Sequence, residues 1–313
     1  MGFKLKYFSF IGIAILIWLL LKIDFTQLFT LLGDVNLWLL ILAALFFMLS
    51  LMVNFLRWHY IVNNLGIHIP VKEAIKISFK SLFAENTPGR VGEPLLKASY
   101  LKESAKSHLS ISLFSTVFHK FIDLWSAVIQ AIVVVTILFL LFKIKLLVLI
   151  PSILFFSLII ATIFVLIYNR KLSANIIRPI YDLFVPKKHK EKVRKNTLEF
   201  YENFKKINKE VLWVSFFYDL VEVIIAGISL YFIVLSLNQD VLFIHPILLI
   251  PLLTIGVGLP ISVAGLGIRE TILVFYFGFL EISPEVAIAT GMIFLIIKLL
   301  SAIPGLIIGI LER

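Results

Sequence analysis

From Leu37 to Leu56 the chain runs twenty residues without a charged side chain, LWLLILAALFFMLSLMVNFL. A helix of that length rises about 30 Å, the thickness of a bilayer's hydrocarbon core. Comparable runs recur through the 313 residues, which are 60% hydrophobic and 15% charged, with a mean hydropathy of +1.04. A water-soluble domain carries more charge and shorter apolar stretches. A membrane β-barrel alternates apolar and polar residues, and these runs do not. The fold class that follows is all-α: a polytopic integral membrane helical bundle.

About six full spans can be drawn, at 7–23, 37–56, 117–142, 146–168, 211–237 and 284–311. The N-terminus is basic and then apolar like a signal peptide. Lys22, Ile23 and Asp24 stand where a small-residue cleavage site belongs, so the segment reads as a retained span. Lys6 stands where a myristoylation signal has Ser or Thr. Lys4 and Lys6 set the N-terminus in the cytoplasm, and Arg57, Trp58 and His59 read as the inner boundary of the second span. Residues 169–210 hold twelve Lys or Arg against five Asp or Glu, a cytoplasmic linker by the positive-inside rule. Its Val193, Phe200, Phe204 and Ile207 mark one face of a helix that either lies on an anionic leaflet or is a solvated connector. The C-terminus returns to the cytoplasm, with a kink expected at Pro304 and Gly305. The linker divides a first membrane half, 1–168, from a second, 211–313. The net charge of +10 belongs to these inner loops, so nucleic acid is not an expected partner. With no cysteine, disulfides, thiolate metal sites and cysteine nucleophiles are excluded.

Two stretches break the apolar pattern. In 71–107, Lys72, Lys76 and Lys80 fall on one helix face, with Ile75, Phe79, Leu82 and Phe83 mostly on others. This helix of about fourteen residues is too short to span, and it stops at ENTPGRVGEP, 85–94. In 246–280, two apolar segments of half-membrane length flank GLPISVAGLGIRE, 258–270. Each reads as a re-entrant hairpin, the first entering from inside and the second from outside. PGRVGE and GLGIRE share Gly, then Arg, then Glu. Paired Gly/Pro-interrupted short segments in corresponding places point to an inverted-repeat transporter.

Irregular backbone persists at membrane depth only where it is buried in protein or lines a wet cavity. Pro88, Gly89, Gly92 and Pro94 in the first break, and Gly256, Gly258, Pro260, Gly265 and Gly267 in the second, therefore argue for a cavity. The outgoing half-helices start near Pro94 and Arg269, and helix starts favour anions. Arg90 and Arg269 add bidentate charges, Thr87 and Ser262 hydroxyl donors, and Lys97 a further cation. The ligand group expected is a phosphate near mid-membrane. Glu93 and Glu270 either pair with the arginines, contact a cationic group of the substrate or carry a coupling proton. Lys120 and Asp123 can share a face, as can Asp219 and Glu222. With Lys298 these form a charge relay, cavity walls or internal pairs, for instance Lys298 with Asp219 or Glu222. His119 reads as a boundary residue. There is no P-loop, HExxH or GxSxG, and the histidines at 59, 68, 108, 119, 189 and 245 lack metal-ligand spacing, so no cofactor, metal or catalytic step is expected.

RW at 57–58, PGRVGEPLLKASYL at 88–101 and LPISVAGLGIRE at 259–270 resemble the lysylphosphatidylglycerol synthase transmembrane region, or flippase-like domain, family. FHKFIDL at 118–124 is a weaker match, with His119 in place of the family's acid and Lys120 in place of its arginine. The resemblance implies a lipid flippase that moves aminoacylated phosphatidylglycerol from inner to outer leaflet. Relatives append a soluble aminoacyl-transferase domain. This chain ends at Arg313, so synthase activity is not expected. Stand-alone relatives resemble helpers of envelope-lipid or polyprenyl-linked sugar export. By motif, Arg90, Glu93, Arg269 and Glu270 would line the headgroup path.

The expected function is a plasma-membrane translocator of an anionic, aminoacylated or polyprenyl-phosphate-linked lipid, with membrane lipids and an envelope-biosynthesis enzyme as partners. Three rivals remain open: a secondary transporter of a small soluble anion, a membrane-embedded transferase using a lipid-linked donor, and a non-transporting envelope scaffold.

Overall fold

The computed structural model describes residues 15–86, 92–142, 158, 207–258 and 262–312. Among them every regular element is a helix: α1 Phe25–Gly33, α2 Leu37–Asn64, α3 Val71–Leu82, a 3-10 turn Phe83–Asn86, α4 Gly92–Ala105, α5 Leu109–Phe142, α6 Lys209–Ser236, α7 Ile244–Gly258, α8 Ile268–Gly278, α9 Pro284–Ser301 and α10 Ile303–Leu311. Residues 15–20 are helical as well. Among the described residues, four stretches are long and apolar enough to cross a membrane: Leu37–Asn64, Leu109–Leu140, Lys209–Ser236 and Pro284–Leu311. The protein is an all-α membrane protein. The first half of the first expected span (7–14), the span at 146–168 apart from Leu158, and nearly all of the basic linker lie outside the described residues.

The long helices α2 and α6 form the central pair. Their seam is lined with small residues, as membrane helices require for close approach. Ala43 is fully enclosed there, and Ser229 Oγ donates to its carbonyl at 2.7 Å. Around the pair, α5, α7, α8 and α9 close a core that includes Phe47, Leu230, Leu249, Tyr276 and Ile293. Gly227 of α6 faces α7 so closely that a Cβ there would stand 2.6 Å from Ile247 Cα.

Several sequence boundaries shift, each for a physical reason. α2 does not end at Arg57. It continues to Asn64, and both Arg57 and Trp58 are wholly enclosed. α5 begins at Leu109 instead of Val117. Its first turns are rich in Ser and Thr, which lowers hydropathy, yet their hydroxyls bond back onto the helix. Ser115 donates to Ser112 O at 2.8 Å and Thr116 to Leu113 O at 3.0 Å. In α3 the enclosed stripe is Ala74, Ile77, Ser78, Ser81 and Leu82, while Phe83 is 53% exposed. Small residues won the inner face because α3 lies close against its neighbours. The last span breaks at Ala302, with Pro304 in the first turn of α10. α10 leaves the line of α9 and packs on α3, where Gly305 admits the Phe79 backbone.

The two interruptions become two pairs of short helices, α3–α4 and α7–α8. The chain between the halves of the first pair includes Thr87, Pro88, Gly89 and Arg90, and that of the second includes Pro260. These five residues lie outside the described ones.

Candidate functional site

Arg57 is the centre of the polar interior. Its Nη1 donates to Asp219 Oδ1 at 2.5 Å, and its Nη2 pairs with Asp123 Oδ1 and lies 3.2 Å from Glu222 Oε2. Its Nε donates to His119 Nε2 at 3.2 Å, so that nitrogen carries no proton. The planar five-donor guanidinium is the side chain that can serve acids from two helices at once. Second partners hold those acids. Ser126 and Gln130 donate to Asp219 Oδ2, the amide at 2.8 Å, and Asn54 Nδ2 lies 3.0 Å from both Glu222 oxygens. This network joins α2, α5 and α6. Arg57 and His119 are therefore interior residues, not span boundaries. A boundary reading rests on hydropathy, which cannot show that three acids on other helices converge on the same depth.

The network continues onto α4. Lys120 Nζ sits 3.4 Å from Asp123 Oδ2 and 2.7 Å from Glu93 Oε2. Glu93 Oε1 lies 3.5 Å from Lys97 Nζ, one helical turn on. Lys97 is 1% exposed, with its ammonium 4.5 Å from the centre of the Trp58 ring and 5.6 Å from that of Phe55. A desolvated ammonium against two aromatic faces is well held. Lys97 thus stands behind Glu93 rather than in the open space.

The second break is built differently. Gly265 and Gly267 have φ of +80° and +82°, and Ala264 has +54°. This left-handed turn delivers the chain to the start of α8, and glycine takes those angles without steric cost. Glu270 then closes the tip on itself. Its Oε2 accepts the Gly267 N–H at 2.7 Å, and its Oε1 takes Arg269 Nε at 3.0 Å and Nη2. The helix start expected to receive a ligand anion is thus met by the protein's own carboxylate. Ser262 is enclosed and is not among the residues lining the cavity, its hydroxyl without a hydrogen-bond partner among the described residues.

Between the two hairpins lies a cavity of about 140 Å³. Glu93, Lys120, Asp123, Asp219, Glu222, Arg269 and Lys298 all line it, so the cavity brings together seven of the residues singled out from sequence. Asn54, Glu85 and Thr254 line it too and carried no sequence signal beyond being polar. Lys298 does not pair with Asp219 or Glu222; its Nζ lies 3.6 Å from Glu85 Oε1. Gly92 starts α4, two residues before the expected Pro94. Among the described residues no group of His, Asp and Glu is arranged to hold a metal ion. The space suits a small polar group or several waters among charges of both signs.

Comparison with curated proteins returned no match. The sequence profile of the lysylphosphatidylglycerol synthase transmembrane region matches residues 8–309. That match takes in both hairpins, the Arg57 network and the cavity between them, and the chain belongs to the lysylphosphatidylglycerol synthase transmembrane-region family.

Proposed function

We propose that the protein moves a phosphate-bearing membrane lipid between the leaflets of the plasma membrane. The headgroup passes through the charged cavity while the tails stay in the bilayer. The observation that carries this reading is the cavity itself: charges from α4, α5, α6, α8 and α9 converge between two broken hairpins. Charged side chains within apolar helices are costly and persist where they face a polar path. Family membership ties the chain to membrane lipid chemistry. In this reading α3–α4 enters from the cytoplasm and α7–α8 from outside, and the N-terminus, the 169–210 linker and the C-terminus are cytoplasmic. The protein translocates without a catalytic step. Cations and acids side by side suit a headgroup with phosphate alone or with phosphate and an amine, as in an aminoacylated phospholipid. A polyprenyl-phosphate carrier presents the same anionic group.

The test is leaflet-resolved movement of labelled phosphatidylglycerol and lysylphosphatidylglycerol in proteoliposomes. Wild type should accelerate exchange of at least one of them, and a Lys120→Met/Arg269→Met variant should lose that acceleration. Equal rates in both, with uptake of a soluble phosphate ester instead, would move the protein to the soluble-anion class.

A further inference from the structure

The three acids that converge on Arg57 are not served alike. Asp219 takes Arg57 Nη1 on one oxygen and both Ser126 and Gln130 on the other. Asp123 meets Arg57 on Oδ1 and has a second cation, Lys120, 3.4 Å from Oδ2. Glu222 has the weakest hold. One amide nitrogen, Asn54 Nδ2, is shared between its two oxygens at 3.0 Å each. Its contact with Arg57 Nη2 at 3.2 Å is an ion pair without hydrogen-bond geometry, and among the described residues no other cation pairs with it. Glu222 is also the most open of the three, its side chain 23% exposed against 15% for Asp123 and 9% for Asp219, and it lines the cavity. The other elements around it do not change this ranking. Of α7, only Thr254 brings a polar side chain to the cavity. Lys298 of α9 lies beside Glu85, Arg269 of α8 beside Glu270, and Glu93 of α4 between Lys97 and Lys120. His119 is enclosed, and its Nε2 already accepts from Arg57. A carboxylate at membrane depth with one shared amide and a poorly aligned cation is costly in its charged form.

We propose that Glu222 is the proton site of the translocator: its carboxylate takes a proton from the cavity when the phosphate-bearing headgroup loads and gives it up when the headgroup leaves. Charged, Glu222 repels a phosphate that shares the cavity with it. Protonated, it withdraws that repulsion and presents an O–H donor. By linkage, the bound phosphate favours the proton as much as the proton favours the phosphate. Arg57 keeps Asp219 and Asp123 in both states, so the network that joins α2, α5 and α6 holds its shape. The transfer forms one O–H bond at a Glu222 oxygen on loading and breaks it on release, with cavity water as proton donor and acceptor. A proton and a singly charged phosphodiester together bring no net charge, so the loaded site crosses the apolar core without the cost of an added ion. Lipid and proton therefore travel in the same direction. The proposal rests on the translocator reading for its lipid and adds the ion that moves with it.

The test is binding of dihexanoyl-phosphatidylglycerol to the purified full chain, with proton uptake followed by a pH dye in weak buffer. The phosphodiester of this probe keeps its single negative charge throughout, so any pH dependence belongs to the protein. Wild-type affinity should rise about ten-fold from about pH 8 to about pH 6, and binding should draw protons from solution. Glu222→Gln, fixed in the uncharged form, should bind without dependence on pH and without proton uptake. Glu222→Asp keeps a carboxyl at the same place and should retain both, which a merely structural Glu222 would not require. Wild-type affinity indifferent to pH, or proton uptake that persists in Glu222→Gln, overturns the proposal and leaves the translocator reading to the leaflet assay. Affinity that follows sodium at fixed pH, and not acid, overturns it as well. Proton-linked binding of the water-soluble headgroup glycerophosphoglycerol with none of the lipid supports the proton site but moves the protein to the soluble-anion class. Binding of neither probe at any pH overturns both readings.

Discussion

The two hairpins carry the same sequence signature, glycine followed by arginine and glutamate, and their glutamates are put to opposite uses. In the second, Arg269 and Glu270 satisfy each other and the Gly267 N–H, so the tip is a closed unit. In the first, Glu93 reaches out to Lys120 on α5 while Lys97 holds it from behind. The difference lies in the backbone before the helix. Left-handed residues 264, 265 and 267 aim the Gly267 N–H at Glu270. α4 is already helical at Gly92, so Glu93 sits in its first turn with a lysine one turn later. Like motifs therefore announce like placement, at a break beside a cavity, and not like chemistry.

The sharpest way to break this comparison is to remove one cation from each hairpin's partnership. Arg269→Met leaves Glu270 charged and enclosed with only a backbone N–H, a loss expected to cost roughly 3–5 kcal/mol. Lys120→Met leaves each of its acids with a second cation, and Lys120 is partly exposed, so its loss should cost less than about 1 kcal/mol. Thermal unfolding of the detergent-purified variants, followed by size-exclusion recovery, reads both. Equal losses would mean that the two glutamates are held alike.

Packing gives the next largest effect. Gly227→Ala drives a methyl into the Ile247 backbone, which cannot swing aside as a side-chain tip can, and should cost about 1–3 kcal/mol. Gly33→Ala, with nothing within 4 Å, is the control and should leave the unfolding temperature unchanged or slightly raised. If Gly227→Ala is as silent as Gly33→Ala, the second hairpin is not fixed by that contact.

Much of this was legible in the sequence, and the failures share a cause. Hydropathy located α2, α6 and α9 because a bilayer demands length and apolarity. Gly and Pro located both breaks because they interrupt helices that the apolar sequence would otherwise continue. Periodicity paired Lys120 with Asp123. The cost of charge in an apolar run singled out Glu93, Arg269 and Lys298, and left open whether each lines a cavity or pairs internally; all three line it. What did not follow is who meets whom. Arg57 sits near the end of an apolar stretch, where snorkelling to the interface is the ordinary expectation. That Asp123, Asp219 and Glu222 arrive at its depth depends on the relative heights of α2, α5 and α6, which one sequence does not encode locally. The i, i+3 spacing of Asn54 and Arg57 was the available signal, two polar groups on one face of a span. Lys298 found Glu85 rather than an acid on α6 because α9 passes beside the tip of the first hairpin.

The smallest effect is expected where the first hairpin meets the end of α10. Glu312 pairs with Lys76 and lies 3.1 Å from Lys80, both on α3. The hydrogen bond from Lys76, then that from Lys80, holds its carboxyl below the ordinary value of 4.5. A lowered carboxyl contributes stability above its ordinary value and loses it as pH falls through the folded one. Hence the α3–α10 contact should weaken only below about pH 4.5, and Glu312→Gln should show that weakness at every pH. The pair is exposed and screened by salt, so its influence on unfolding temperature should sit near the limit of detection and vanish at high ionic strength.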